Sequence, residues 1–502
     1  MSSRRGRVWL VGAGPGDPGL LTRKGARAIA ACDVLVYDYL ASPAIVALAP
    51  ASCEKIYVGK KAGAHTLSQD EITALLVRLG REGKNVVRLK GGDVFVFARG
   101  GEEAAALHAA VVPFEIVPGI TSALAAPAYA GIPITHRDHN AAFTVATGHE
   151  DPAKGPSSLD YAKLANPAQT LVFLMAMGNL AGIVAKLREH GMPDTLPVAI
   201  VREGTKPAQA TLVATLATIV AEVERTQFAA PAIVVIGDVV LERDALRWFD
   251  TGPLFGKRVL VTRTREAAAE FAERLWELGA EPVIASTIAI APPSNPAPAR
   301  TALERLNSYA WVVFTSVNGV NAAFALLHER GADARRFGSA KVAAIGPATA
   351  AALAGFGVRA DFVPTAFVGE EVADGLLERT QRGDRVLVFG AEVMRDIVPA
   401  RLGAAGRAVD VVAGYRTTLV IDPEIARAAE ATDVWTFTSA STVEGFIANV
   451  PSAPQLRRTK LVACIGPVTA EAARKAGLAP DAIAADSTVD GLLEALELTA
   501  AR

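Results

Sequence analysis

Short β-branched runs alternate with Ala- and Leu-rich stretches from the start of the chain: Val8–Val11, Leu20–Ala31, Val34–Tyr37, Ala44–Ala49, Ile56–Val58, Asp70–Arg81 and Val86–Leu89. Strands that are each followed by a helix-length segment must cover a sheet on its faces, which predicts an α/β fold with a mixed or parallel sheet. The pattern resumes near Phe143, with strands expected at Thr170–Met175, Val198–Val201 and Ile233–Ile236. Residues 1–250 are therefore expected to hold two lobes, about 1–138 and 139–250. At 502 residues the chain exceeds what one hydrophobic core organises, so further domains follow.

The turn-rich segment Thr251–Lys257, TGPLFGK, breaks the pattern after Trp248 and before a new strand at Val259–Thr262. It places a linker at 251–256 and a second part at 257–502. That second part repeats itself. Val312–Phe324 (VVFTSVNGVNAAF) is echoed by Val434–Phe446 (VWTFTSASTVEGF), and Val342–Gly357 (VAAIGPATAAALAGFG) by Val462–Gly477 (VACIGPVTAEAARKAG), in the same order. Ordered echoes of this length predict two homologous α/β lobes. The Pro-rich Ala291–Pro298 is expected to be one crossing between them.

The net charge of -1 supplies no bulk attraction to nucleic acid or to an anionic membrane. The longest uncharged stretch, Ile116–His136, is interrupted by Pro118, Pro127 and Pro133 and is expected to be core and loop, not a membrane span. Three cysteines, Cys32, Cys53 and Cys464, form no CxxC pair, and no export signal develops at the N-terminus. A cytoplasmic location is expected.

Chemistry concentrates at the predicted strand ends. Gly12, Gly14 and Gly16 in GAGPGDPGLLT allow a tight turn with close approach of a ligand, but their GxGxG spacing departs from the dinucleotide fingerprint. Three more polar segments end strands: VYDYL (Val36–Leu40), VGK (Val58–Lys60) and LKGGDVFVFARGGEE (Leu89–Glu103). With VPGITSALAAPAYAGIPITHRD (Val117–Asp138), TGH (Thr147–His149), EGT (Glu203–Thr205) and PAIVVIGDVV (Pro231–Val240), this part resembles the uroporphyrinogen-III C-methyltransferases among the tetrapyrrole (precorrin) methylases, over roughly Arg7 to Glu242.

That resemblance implies a two-lobed methylase fold, and methylation of uroporphyrinogen III at C2 and C7 to precorrin-2. S-adenosylmethionine would be the methyl donor, no metal would be needed, and a homodimer would form through this part. It carries cofactor contacts to Pro15, Gly91, Gly92, Asp93, Val96, Thr121, Ser122, Met175 and Gly204, a base to Asp38 and an acid to Lys60. Arg88, Lys90, Arg99 and Arg137 are candidate partners for substrate carboxylates. Against the family pattern, Val94 replaces a Pro in GGDP, Ala98 a Gly before Arg99, and Ala176 a Gly after Met175. An Ala at a positive-φ position would strain the loop and weaken cofactor binding. His136 and His139 have HxxH spacing with no third metal ligand apparent, which favours a structural or substrate-contact role.

The second part resembles uroporphyrinogen-III synthase through GKRVLVTRTRE (Gly256–Glu266), FTS (Phe314–Ser316), AIGPATA (Ala344–Ala350), GYRT (Gly414–Thr417), TFTSAST (Thr436–Thr442) and CIGPVTA (Cys464–Ala470). The resemblance implies one lobe of 257–289 plus 418–502 and another of 290–417. It also implies cofactor-free cyclisation of hydroxymethylbilane, with Tyr415 assisting loss of the hydroxyl and Arg263, Ser316, Ser439 and Thr469 positioning substrate. Each Ser or Thr could equally be a helix cap. An alternative reading keeps a methylase of another precorrin fused to a non-catalytic two-lobed binding or regulatory module.

Overall fold

The computed structural model describes residues 6–59, 67–149, 159–365 and 368–500. The chain divides into two compact units, Met1–Lys257 with Trp276–Glu281, and Arg258–Leu275 with Pro282–Arg502.

In the first unit, β1 (Val8–Gly12), β2 (Val34–Tyr37), β3 (Glu54–Tyr57), β4 (Val86–Lys90) and β5 (Phe114–Val117) form a wholly parallel sheet in the order β3-β2-β4-β1-β5. Alternate residues of β1 enter different cores: Val8 and Leu10 join Leu76 and Leu107 on one side, while Val11 joins Ile29 and Ile45 on the other. A sheet buried on both faces requires such near-continuous apolar strands. The helix expected from Leu20 begins instead at Arg23, because Thr22 accepts from Gly25 N and caps it, while Pro18–Leu20 forms a separate 3-10 turn.

The second sheet of this unit contains β6 (Phe143–Thr147), β7 (Thr170–Leu174), β8 (Pro197–Arg202), β9 (Ala210–Thr215) and β10 (Ala232–Ile236), in the order β6-β7-β10-β8-β9. Only β6 and β7 are parallel. The strands β5 and β9 did not stand out in the sequence because both are sheet edges with mostly half-buried residues.

In the second unit the internal repeat becomes two equivalent successions of strand, helix, strand and helix. One runs through β14 (Trp311–Phe314), Val317–His328, β15 (Lys341–Ala344) and Pro347–Gly355. The other comprises β18 (Val434–Phe437), Ala440–Asn449, β19 (Leu461–Cys464) and Pro467–Lys475. The former lies in a sheet with β13 (Ile288–Ala291), β16 (Arg385–Ala391) and β17 (Ala408–Leu419), ordered β13-β17-β16-β14-β15. The latter is completed by β11 (Arg258–Val261), β12 (Glu281–Ile284) and β20 (Ala482–Ile483), ordered β12-β11-β18-β19-β20.

The chain passes from β12 to β13 around Thr287 and returns after β17. Thr287 is fully buried; its hydroxyl lies 3.2 Å from Thr262 O and 3.1 Å from Thr442 O, and its carbonyl accepts from Val420 N at 3.0 Å. One residue, through its hydroxyl and its carbonyl, thus ties both passages together. The Pro-rich Ala291–Pro298 is not a crossing: β13 already pairs antiparallel with β17, so this segment only leads from β13 to the next helix of the same lobe.

Among the described residues, no helix is long and apolar enough to cross a membrane. All three cysteines are buried free thiols, and burial pushes those of Cys32 and Cys464 up to about 12. Cys32 and Cys464 therefore keep their protons through the range in which unfolded thiols lose theirs. The native chain should show no fast-reacting thiol toward an aromatic disulfide reagent at pH 8, and three after denaturation in guanidinium. A rapid native reaction would contradict this burial.

Candidate active sites

Three loops meet where β1, β4 and β5 end. Ala13 N donates to Lys90 O at 2.7 Å, and Gly14 and Gly92 exchange backbone hydrogen bonds of 3.1 and 2.7 Å. A Cβ on Gly119 would fall 2.3 Å from Gly92 O and 2.7 Å from Gly12 Cα, so only glycine permits this approach. Asp93 fastens the junction: Oδ1 accepts from Phe95 N at 2.8 Å and Oδ2 from Gly119 N at 3.0 Å.

The second sheet's loops close over this junction through Asp17. Its backbone N–H donates to the fully buried Thr205 hydroxyl at 3.1 Å, and its carboxylate accepts from Tyr129 OH at 2.6 Å. Burial first, and then Asp17, raises the Tyr129 phenol above its ordinary range. Gln209 completes the link by accepting from Thr205 N at 2.9 Å and donating to Tyr129 O at 3.1 Å. These polar ties were not singled out in the sequence, because their partners lie far apart along it.

Between the loops is a cavity of about 610 Å³, a size suited to a small-molecule ligand. Pro15, Gly91, Gly92, Asp93, Val96, Thr121, Ser122, Met175 and Gly204 all line it, together with Asp38, Arg88, Lys90 and Arg99. Lys60 lies outside the described residues. Arg137 is exposed and does not line the cavity.

A buried ion array forms one wall. Arg88 and Lys90 are 3% and 5% exposed, and Glu103 is fully enclosed. Arg88 Nη2 meets Asp38 Oδ2 at 3.0 Å, while its Nε meets Glu103 Oε1 at 3.4 Å. The same Glu103 oxygen accepts from Lys90 Nζ at 2.9 Å and Gln69 Nε2 at 3.0 Å. Arg88 also donates from Nη1 to Leu89 O at 3.0 Å, so all three of its nitrogens have protein partners. It therefore holds Asp38 in place at the cavity wall. Burial, and then repulsion from Arg88, lowers the Lys90 ammonium. Glu103 carries no distinguishing signal in the sequence, because two acids in a helix's first turn usually answer the helix dipole; nothing local shows that Glu103 turns inward while Glu102 pairs with exposed Arg99.

The strain expected at Ala98 and Ala176 is displaced to their neighbours. Ala176 has φ −85°, and the left-handed residues are Phe97, Arg99 and Met175, at φ 54°, 59° and 53°. The two alanines therefore incur no positive-φ penalty. Val94 is fully buried in the apolar layer below the loop.

In the second unit, Tyr415 OH and Ser316 Oγ share a 3.0 Å hydrogen bond, and Ser316 also accepts from Gly319 N as the cap of Val317–His328. Ser439 caps Ala440–Asn449 and bonds Ser441 Oγ at 2.9 Å. Thr469 is 5% exposed in the first turn of Pro467–Lys475. Arg263 is partly buried, which lowers its guanidinium from the ordinary arginine range, and it makes no hydrogen bond among the described residues. A cavity of about 1100 Å³ opens beside these positions, lined by Thr264, Val317 and the sheet crossings but by none of the five residues singled out. Of that set, among the described residues, only Ser316 and Tyr415 share a side-chain hydrogen bond.

The tetrapyrrole (corrin/porphyrin) methylase family matches residues 7–220, and the uroporphyrinogen-III synthase family matches residues 269–494. The chain is 40% identical over 495 residues to the porphyrin biosynthesis protein HemD of Ruminiclostridium josui, covering 98% of this chain and 97% of that protein. It is 52% identical over 252 residues to the S-adenosyl-L-methionine-dependent uroporphyrinogen III methyltransferase of Methanosarcina barkeri, covering 50% of this chain and 99% of that protein. It also resembles the solved uroporphyrin III C-methyl transferase of Thermus thermophilus, at 39% identity and a TM-score of 0.41, over 47% of this chain and 99% of that one. Two α/β parts, a methylase and a synthase of tetrapyrroles, are thus joined in one polypeptide. The chain belongs to the family of fused tetrapyrrole methylases and uroporphyrinogen-III synthases.

Replacing Glu103 by Leu would leave Arg88 and Lys90 enclosed with Asp38 as their remaining carboxylate, a loss expected to cost about 3–5 kcal/mol. Urea unfolding should show it, with a smaller loss for Glu103→Gln. An unchanged midpoint for Glu103→Leu would mean that the array does not support the fold.

Proposed function

We propose that the first part, dividing from the second at 251–256, methylates uroporphyrinogen III at C2 and C7 to precorrin-2 with S-adenosylmethionine, and that the second cyclises hydroxymethylbilane to uroporphyrinogen III. The observation that carries the methylase reading is the placement of Asp38, held by buried Arg88, in the same cavity as the glycine junction. The cavity's residues fit the donor: a Cβ on Gly92 would meet nothing nearer than 3.8 Å, so the backbone is bare in front of Thr121 and Ser122, and Met175 is half exposed at the rim. When bound, S-adenosylmethionine supplies a methyl group already activated on a sulfonium. The protein's tasks are then orientation and removal of a ring proton.

Asp38 is the proposed acceptor of that proton. Its Oδ2 is fixed by Arg88 and its Oδ1 by Leu40 N at 3.2 Å, so the carboxylate cannot swing away. Lys60 is proposed to return a proton, and Arg99, at the cavity edge, to meet a substrate carboxylate. In the second part, Tyr415 is proposed to protonate the departing hydroxyl with Ser316 holding its phenol, while Arg263 takes a substrate carboxylate. The helices Pro347–Gly355 and Pro467–Lys475 begin at Gly346 and Gly466 without side-chain caps, leaving N–H groups for further carboxylates.

Incubating the full chain with hydroxymethylbilane and S-adenosylmethionine, and separating the products chromatographically, tests both sites. Precorrin-2 is expected. Asp38→Asn should slow methylation by about 100-fold or more while donor binding persists. Tyr415→Phe should divert product toward the type I isomer. Failure of the wild type to methylate supplied uroporphyrinogen III would refute the first assignment, and type I product alone from hydroxymethylbilane the second.

A further inference from the structure

The HxxH pair acquires in the structure the third ligand that the sequence did not reveal. His136 and His139 lie on the connection between the two sheets of the first unit, and Glu242 follows β10. One ring nitrogen of each histidine and one Glu242 oxygen lie within 4.8 Å of one another. His139 Nε2 is 2.7 Å from Glu242 Oε1, the two imidazole centroids are 5.0 Å apart, and all three side chains are half-buried.

A His–Glu hydrogen bond alone would account for His139 but not for the second ring. Among the described residues no hydrogen bond uses His136 Nε2; its Nδ1 faces Asp138 N at 3.3 Å and the Asp138 carboxylate at 3.8 Å. The turn carrying both histidines is clamped. Asn140 accepts from His136 N at 2.9 Å and donates to Ile134 O, Ala142 O and the Thr170 hydroxyl at 2.9–3.1 Å. Glu242 is held by the segment behind it, where Arg243 binds Ala130 O and Asp250, and Trp248 Nε1 donates to Ala128 O at 3.1 Å.

We propose that His136, His139 and Glu242 form a binding site for a borderline divalent transition cation such as Zn²⁺. Two imidazoles and a carboxylate match the ligand preference of such ions, and Asp138 adds negative charge at the edge. Ligands at about 2.0–2.2 Å from a tetrahedral ion stand about 3.3 Å apart, so side-chain rotation on the clamped turn must draw the three in slightly. The site lies apart from the cavity, which none of the three residues lines. Its effect is to fasten the inter-sheet connection to the segment after β10. The cation would act as a staple, with no part in methyl transfer.

The test uses the untagged full chain, stripped with a chelator and titrated with ZnCl₂ by calorimetry. One equivalent should bind and raise the unfolding temperature; His139→Ala and Glu242→Gln should each weaken binding by about tenfold or more and abolish the stabilisation. Co²⁺ bound to the wild type should show ligand-field bands without thiolate charge transfer. That spectrum keeps the proposal testable if a variant unfolds. No binding by the wild type, wild-type affinity in well-folded variants, or a thiolate band would each overturn it.

Discussion

The array joining Asp38, Arg88, Glu103 and Lys90 is the interaction on which the first unit's site depends. Two cations at the end of a central strand could not remain enclosed without carboxylates, and Glu103 reaches them from the helix Gly100–Ala109. The same pairing fixes Asp38 at the end of the neighbouring strand β2. Charge balance inside the protein and placement of a reactive carboxylate in the cavity are one arrangement. The glycine junction is its backbone counterpart, because the contacts of Gly12, Gly92 and Gly119 bring the three loops close enough to share a cavity.

The second unit is organised by repetition and by what breaks it. Equivalent strands and helices build two sheets, yet the active groups proposed there are not equivalent: Ser316 and Ser439 both cap helices, but only Ser316 is bonded to a tyrosine. Buried Thr287 occurs once, where both passages between the sheets run side by side. A Cβ on Gly445 would lie 2.3 Å from Thr287 O, so the second copy of the repeat has been shaped around the crossing.

Much of this was legible beforehand where the physics is local. The helix expected at Asp70–Arg81 forms one residue earlier, at Gln69–Arg81, and the parallel strands β2 and β4 announce themselves through unbroken β-branched runs. The residues around Gly92, Thr121 and Met175 were expected in one site only through the family resemblance, and they line one cavity. Edge strands β5 and β9, whose side chains are only half covered, carried no such signature. The Pro-rich segment after β13 resembled a crossing because proline marks irregular chain, not the direction in which the chain goes next.

By itself, the sequence determined the alternation of strands and helices, the duplication in the second half, and which turns could approach a ligand, since these depend on backbone freedom and on apolar periodicity within short windows. Tertiary structure decided which charges are spent. It made Arg88 the support of Asp38, and moved the left-handed backbone from Ala98 and Ala176 to Phe97, Arg99 and Met175. It also brought Glu242 to His139 across 103 positions. Electrostatic pairing and ligation act through space at a few ångströms, and no spacing along the chain encodes that distance.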